Sequence, residues 1–242
     1  MLVTGSSRGI GRAIALRLAA NGWRVAVHCS KNAAAAKETA AELAAACAGV
    51  YQANLSEPGA AASLWAAALE DGPIHALVNN AGIYYPLSFL NSSDAEFESN
   101  LADTFAINWE APLRLSRCAA KVFAAAGSGR ILNVASRVGF RGEAGAALYS
   151  ASKGALINLT RALAVELAPS CVFVAGIAPG WVETAMVRDG MASRLPDILE
   201  AIPLRRMASP EDCAASAAFL LSDEAAYLSG VVIDINGASY FH

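Results

Sequence analysis

Tyr149 and Lys153 stand four residues apart in the run Tyr149-Ser150-Ala151-Ser152-Lys153. With six tyrosines and few lysines in 242 residues, this Y-x-x-x-K spacing arises by chance about 0.1 times; it occurs once. On a helix the two side chains share one face, with Cβ atoms about 5–6 Å apart. A free phenol titrates near pH ~10 and exchanges protons poorly at neutrality, but an ammonium within about 4–6 Å lowers that value by about 1–3 units. The spacing therefore predicts a tyrosine able to give and take a proton near neutral pH. Ser136 lies thirteen residues earlier, at the end of a β-rich run, where its hydroxyl can hold a substrate oxygen. Singly, Ser136 also reads as a strand-end cap and Lys153 as a solvated charge; together with Tyr149 they point to proton transfer at a carbonyl or alcohol.

A second constellation opens the chain. The run Thr4-Gly5-Ser6-Ser7-Arg8-Gly9-Ile10-Gly11 follows a very short apolar segment and leads into helical spacing. A turn that cradles a pyrophosphate needs glycine where the backbone bends, where it approaches the phosphates, and where helix meets strand. Gly5, Gly9 and Gly11 suit those roles, with Ser7, Arg8 and Ile10 between them. The second β-rich run ends Val27-His28-Cys29-Ser30-Lys31, at the distance where an NAD-binding site places an acid for the ribose. No acid is there; Arg8 and Lys31 can instead meet a 2′-phosphate, so NADP(H) is favoured over NAD(H), which stays open. His28 reads as a packing or capping residue.

The elements that must position these residues alternate. Strand-like runs at Leu2–Val3, Arg24–Cys29, Gly49–Ala53, His75–Asn79, Arg130–Ala135, Cys171–Ala178 and Val231–Ile235 are separated by helical stretches. The helices are expected at Ile10–Ala20, Ala33–Cys47, Ala60–Leu69, Asp103–Ala126, Leu148–Leu167 and Pro210–Leu221, with Ser209-Pro210-Glu211 opening the last. Such alternation predicts one doubly wound α/β domain over residues 1–242: a mostly parallel seven-stranded sheet, helices on both faces, ligands at the carboxyl ends of the strands.

Composition excludes several alternatives. A net charge of −3 lacks the surplus expected of a nucleic-acid binder, and no basic block offers itself to a lipid surface. The five cysteines (Cys29, Cys47, Cys118, Cys171, Cys213) include no C-x-x-C, so neither a disulfide framework nor a metal site is expected. Without an apolar run of ~18 residues or a charged leader, the chain is expected to be soluble and cytoplasmic, acting on a small molecule.

The glycine loop, Asn79-Asn80-Ala81-Gly82, Asn108, Ser136, Tyr149-Ser150-Ala151-Ser152-Lys153 and Pro179-Gly180 occur in the order of the short-chain dehydrogenase/reductase family, which the chain resembles over its whole length. That resemblance implies a Rossmann fold and hydride exchange between a nicotinamide and a carbonyl or alcohol. Tyr149 would exchange the proton, Lys153 would bias it and hold the nicotinamide ribose, Ser136 would orient the carbonyl, and Asn108 would support a water relay. Gly5, Ser7, Arg8, Gly9, Ile10, Gly11, Cys29, Ser30, Lys31, Asn54, Leu55, Asn79, Ala81, Gly82, Pro179, Gly180, Val182 and Thr184 would line the coenzyme. Asn54 stands where the family commonly has Asp, Ala175 where it often has Asn, and the first strand is short.

The chain is similar to 3-oxoacyl-thioester reductases of that family. Reductases serving an acyl carrier protein tend to carry basic residues before the fifth and sixth strands; here only Arg130 is near, so a CoA thioester, a sugar or polyol, or a small ketone also fits. A non-catalytic NADP(H) sensor is the contrasting class. Ile83, Tyr84, Tyr85, the loop Arg137 to Glu143, and a lid at about 181–209 carrying Met186, Met191 and Leu195 would border the substrate. The family implies a homo-oligomer, tetramer or dimer, through the helices at 103–126 and 148–167.

Overall fold

The computed structural model describes residues 1–184 and 194–242. Seven strands form one sheet, and every pairing in it is parallel. They are β1 (Leu2–Val3), β2 (Val25–Cys29), β3 (Cys47–Gln52), β4 (Ala76–Asn79), β5 (Gly129–Val134), β6 (Val172–Pro179) and β7 (Val232–Ile235), in the order 3-2-1-4-5-6-7. Sequence and space part company between β1 and β4, and the carboxyl ends of those two strands flank the crevice where such sheets bind ligands.

Helices cover both faces. On one side lie α1 (Gly9–Ala20), α2 (Ala33–Leu43) and α8 (Pro210–Leu220), with α1 packed directly on α8. Ile14 and Leu18 of α1 are fully buried there with Val3, Val27, Val78 and Leu220. On the other side lie α3 (Ala60–Glu70), α5 (Ala111–Ala126) and α6 (Ala147–Leu167), where Trp65 meets Phe123 edge to face at 5.9 Å. Each such large apolar side chain stabilises the fold by about 1.5–3 kcal/mol relative to exposure. The short α7 (Leu195–Glu200) precedes α8, whose start carries the Ser209 cap with Glu211 in the first turn and Asp212 closing a capping box.

Two elements differ from expectation. The helix expected to begin at Asp103 begins earlier, as α4 (Asp94–Phe105), with a Ser93–Glu96 capping box, and passes through a wide turn at Ala106–Glu110 into α5. The alanine-rich helix expected to run to Cys47 stops at Leu43; Ala44 takes φ +50° and Cys47 pairs with Val25. Strand pairing there overrides the helical preference of alanine.

Candidate active site

The glycine loop is held from behind by polar side chains. Thr4 donates its hydroxyl to the Val78 carbonyl at 3.2 Å and accepts from the amides of Asn80 (2.9 Å) and Ala81 (3.0 Å), joining β1 to β4 across the crevice. The Asn80 amide donates to the carbonyls of Thr4 (2.8 Å) and Gly5 (3.1 Å). Gly5 and Gly9 have φ of +62° and +56°. A Cβ on Gly5 would press on Ala81 at 3.0 Å, one on Gly9 would meet Thr184 at 3.3 Å, and one on Gly11 would collide with the Asn80 side chain and the Gly5 carbonyl. No side chain caps the α1 N-terminus and no acid occupies its first turn. This cradle of backbone without side chains, facing free helix N–H groups, fits a pyrophosphate.

The cations fit the same ligand. Arg8 and Lys31 are both exposed beside the loop, and neither has an ion-pair partner among the described residues. Ser30 is exposed and Ser7 half-buried, whereas Cys29 is buried in the core. Leu55 is likewise buried. The side chain of Asn54, expected to reach adenine, is committed to its own turn: it accepts from Ser56 and donates to Glu57. Asn79, expected to line the adenosine side, instead turns its amide inward to Ser116 (3.0 Å) and Asn133 (2.8 Å).

Past the crevice, Tyr149 and Lys153 sit one turn apart on α6, the Lys153 Nζ 5.7 Å from the centroid of the Tyr149 ring. Lys153 is 4% exposed and donates to the Val134 carbonyl at 2.8 Å. The Ser136 hydroxyl approaches the Pro179 carbonyl at 3.5 Å, which brings the ends of β5 and β6 together in front of Tyr149. Buried Asn108 lies in the wide turn before α5: it accepts from the Ile83 amide and donates to the Ile83 carbonyl, both at 2.9 Å, and reaches Ser152 at 3.2 Å. A Cβ on Gly82 would stand 3.2 Å from the Asn108 oxygen and 3.5 Å from the Lys153 Nζ, so glycine leaves that approach open.

Electrostatics differ from the sequence expectation. Burial pushes the Tyr149 phenol up to about 12, with Tyr84 adding to the rise and hydrogen bonding to Ser136 opposing it. Burial pulls the Lys153 amine down to about 8. The predicted depression of the phenol gives way to a rise, because desolvation of the phenolate in this buried setting is the largest influence on it. At neutral pH the pair is thus a protonated phenol beside a largely charged amine, which suits proton donation to an oxygen.

The substrate side carries Tyr84, its ring 5.0 Å from that of Tyr149, and the Arg137–Glu143 pair, 3.4 Å apart and shielded from water. Val182 bridges to Ala208, so the described ends of the 181–209 segment are joined; Met186 and Met191 lie outside the described residues. Gly180 donates to the Ile235 carbonyl at 2.9 Å, which seats the turn between β6 and Thr184. Arg130 is already paired with Asp223 and stacked on Phe173.

A family model described as enoyl-(acyl carrier protein) reductase matches residues 5–238. The chain belongs to the short-chain dehydrogenase/reductase family. Among its short-chain dehydrogenase/reductase relatives, an acetoacetyl-CoA reductase of Allochromatium vinosum is 37% identical over 100% of this chain and 98% of its own length. The 3-oxoacyl-acyl-carrier-protein reductase FabG of Escherichia coli is 36% identical over 99% and 96%. A solved short chain dehydrogenase from Burkholderia cenocepacia, in complex with NADP, superposes with a TM-score of 0.89 at 32% identity, covering 98% of this chain and 96% of its own.

Within this short-chain dehydrogenase/reductase framework, four residues of the crevice escaped the sequence expectations as site residues: Thr4, Ser6, His28 and Asn80. Ser6 is fully buried, donates to the Val3 carbonyl at 2.8 Å and accepts from the His28 amide at 3.1 Å. The available signal was the strand period. At a strand end, neighbouring side chains face opposite ways, so of two adjacent asparagines only one turns to the loop.

Proposed function

We propose that this chain is an NADP(H)-dependent reductase of a 3-oxo group, 3-oxoacyl thioesters being its leading substrate class, with Asn108, Ser136, Tyr149 and Lys153 as its site. The observation that carries the proposal is the convergence of Ser136, Tyr149 and buried Lys153 past the carboxyl ends of β5 and β6, in a chain whose glycine-loop helix is left without a side-chain cap. The names borne by two relatives, acetoacetyl-CoA reductase and 3-oxoacyl-acyl-carrier-protein reductase, support the substrate class. The NADP bound in the Burkholderia relative, together with Arg8, Lys31 and the missing acid, supports the coenzyme.

In this reading the glycine loop and the α1 N-terminus hold the pyrophosphate, Arg8 and Lys31 meet the 2′-phosphate, and Thr184, packed against Gly9, borders the cradle on the nicotinamide side. The bound nicotinamide supplies or accepts the hydride. Ser136 hydrogen-bonds the substrate carbonyl oxygen and fixes it near the Tyr149 hydroxyl. Tyr149 gives that oxygen its proton as charge develops there, a contribution typically of about 10²–10⁴-fold. Lys153 offsets the negative charge left on the phenolate. Asn108 keeps the Ile83 segment and α6 in register behind the amine.

Arg130, engaged by Asp223 and Phe173, favours a soluble thioester over one docked on a carrier protein. The reading includes a cytoplasmic homo-oligomer, for which exposed Val165 on α6 is an apolar contact candidate. The test is a panel of acetoacetyl-CoA, an acetoacetyl carrier protein, polyol-derived ketones and simple ketones, assayed with NADPH and with NADH. Acetoacetyl-CoA and NADPH should give the highest kcat/KM. Absence of turnover with every ketone, despite coenzyme binding, would overturn the proposal in favour of a sensor.

A further inference from the structure

His28 is the one histidine of the crevice, and its geometry does more than fill space. The ring is 1% exposed at the end of β2, opposite Tyr51 of β3. Its Nδ1 accepts from the Gly5 amide at 3.0 Å, and its Nε2 lies 3.0 Å from the Ala53 carbonyl. A backbone amide only donates and a carbonyl only accepts, so both contacts are satisfied by one species: the neutral ring with hydrogen on Nε2. Burial lowers the basicity of the ring, opposed by the Ala53 carbonyl, in keeping with a ring held neutral.

The two ends of this clasp fall on two different parts of the crevice. Gly5 is the left-handed turn of the phosphate cradle, and its carbonyl is already taken by Asn80. With its amide fixed on the imidazole, the Gly5 residue is held from both sides. Ala53 immediately precedes the turn of Asn54 and Leu55 that follows β3. The main chain of His28 adds two further ties to the loop, accepting from the Ser6 amide at 2.9 Å and donating to the Ser6 hydroxyl at 3.1 Å.

We propose that His28 is a positioning residue for the dinucleotide: its neutral imidazole, set in tautomer by the Ala53 carbonyl, holds the Gly5 amide in the turn and thereby sets coenzyme affinity without touching the coenzyme. The inference rests on the coenzyme assignment made above. An apolar residue of similar size would fill the space but leave the partly buried Gly5 amide and Ala53 carbonyl without this partner, and the turn free to rotate away from its binding conformation.

The test uses the purified full chain and three variants. In His28→Asn the side-chain oxygen stands where Nδ1 stands and can still accept from Gly5. In His28→Gln the amide reaches toward Ala53 but leaves Gly5 without its acceptor. In His28→Leu both ties are lost. The dissociation constant of NADPH, read by fluorescence, should rise about tenfold or more in the Leu and Gln variants, while kcat at saturating NADPH stays within about twofold. His28→Asn should recover most of the affinity. Should the Leu variant fail to fold, the Gln and Asn pair decides by the same comparison. Gln binding NADPH as tightly as wild type, or Asn binding as weakly as Gln, overturns the inference. A wild-type chain that binds neither NADPH nor NADH overturns the coenzyme assignment itself, and the inference with it.

Discussion

The Lys153 amine sits 5.7 Å from the centre of the Tyr149 ring yet gives its hydrogen bond to the Val134 carbonyl at 2.8 Å. The amine is therefore anchored to the end of β5, the strand that also delivers Ser136, so α6 and the sheet share one fixed point. Proton donor and cation on α6 and the carbonyl clamp after β5 are thus positioned by two elements tied together at that carbonyl.

The anchored amine gives a pH dependence. Lys153 loses its proton near pH 8 instead of 10.5, and Tyr149 keeps its own to about 12. Reduction should proceed evenly at neutral pH and decline as pH rises through about 8, because the ammonium disappears while the phenol stays protonated. A pH profile of kcat/KM measures this; a rate that climbs steadily from pH 8 to 10 contradicts it.

The same shift has a consequence for stability. The folded-state pKa lies below the unfolded one, so between about pH 8 and 10.5 the unfolded chain binds more protons, and this group's contribution to stability rises with pH. Its full cost, about 3 kcal/mol, is present below that window. Lys153→Met should therefore compare more favourably with wild type at pH 7 than at pH 10. Thermal unfolding at the two pH values measures the difference; an equal offset at both contradicts the burial argument.

The proposed preference for NADPH rests on Arg8 and Lys31. The double substitution Arg8→Ala with Lys31→Ala should raise KM for NADPH by about 10–100-fold, the loss of charge-assisted contacts to one phosphate, and leave KM for NADH nearly unchanged. An equal loss with both coenzymes would place the cations elsewhere.

Gly11 has no room for a side chain, since a Cβ there meets the Asn80 amide group and the Gly5 carbonyl. Gly11→Ala should destabilise the fold by about 1–3 kcal/mol and weaken coenzyme binding through Asn80. Calorimetry together with NADPH titration distinguishes this from a harmless substitution.

Much of this was legible in the sequence because period and composition act locally. The strand–helix alternation gave all seven strands, and the glycine spacing fell on the loop that needs left-handed backbone. α4 was missed because it is mostly exposed: only Thr104 is fully buried, so no apolar stripe marks it, and its Ser93–Glu96 capping box was the remaining signal. Cys47 reads as helical in the sequence because its pairing with Val25 is a tertiary event that alanine propensity cannot foresee. The Tyr149 acidity was misjudged for a related reason. Spacing reports the neighbouring charge, whereas burial, which here dominates, depends on the whole fold. Asn79 and Asn80 are chemically identical in sequence, and only the sheet decides that the second one holds the glycine loop.

The central claim is that Tyr149 donates the proton during ketone reduction. Its most direct test is NADPH oxidation with acetoacetyl-CoA by wild type and Tyr149→Phe, alongside NADPH binding by both. The account predicts that turnover falls by about 10²–10⁴-fold while the NADPH dissociation constant changes by less than about threefold. Turnover by the phenylalanine variant at the wild-type rate would contradict it.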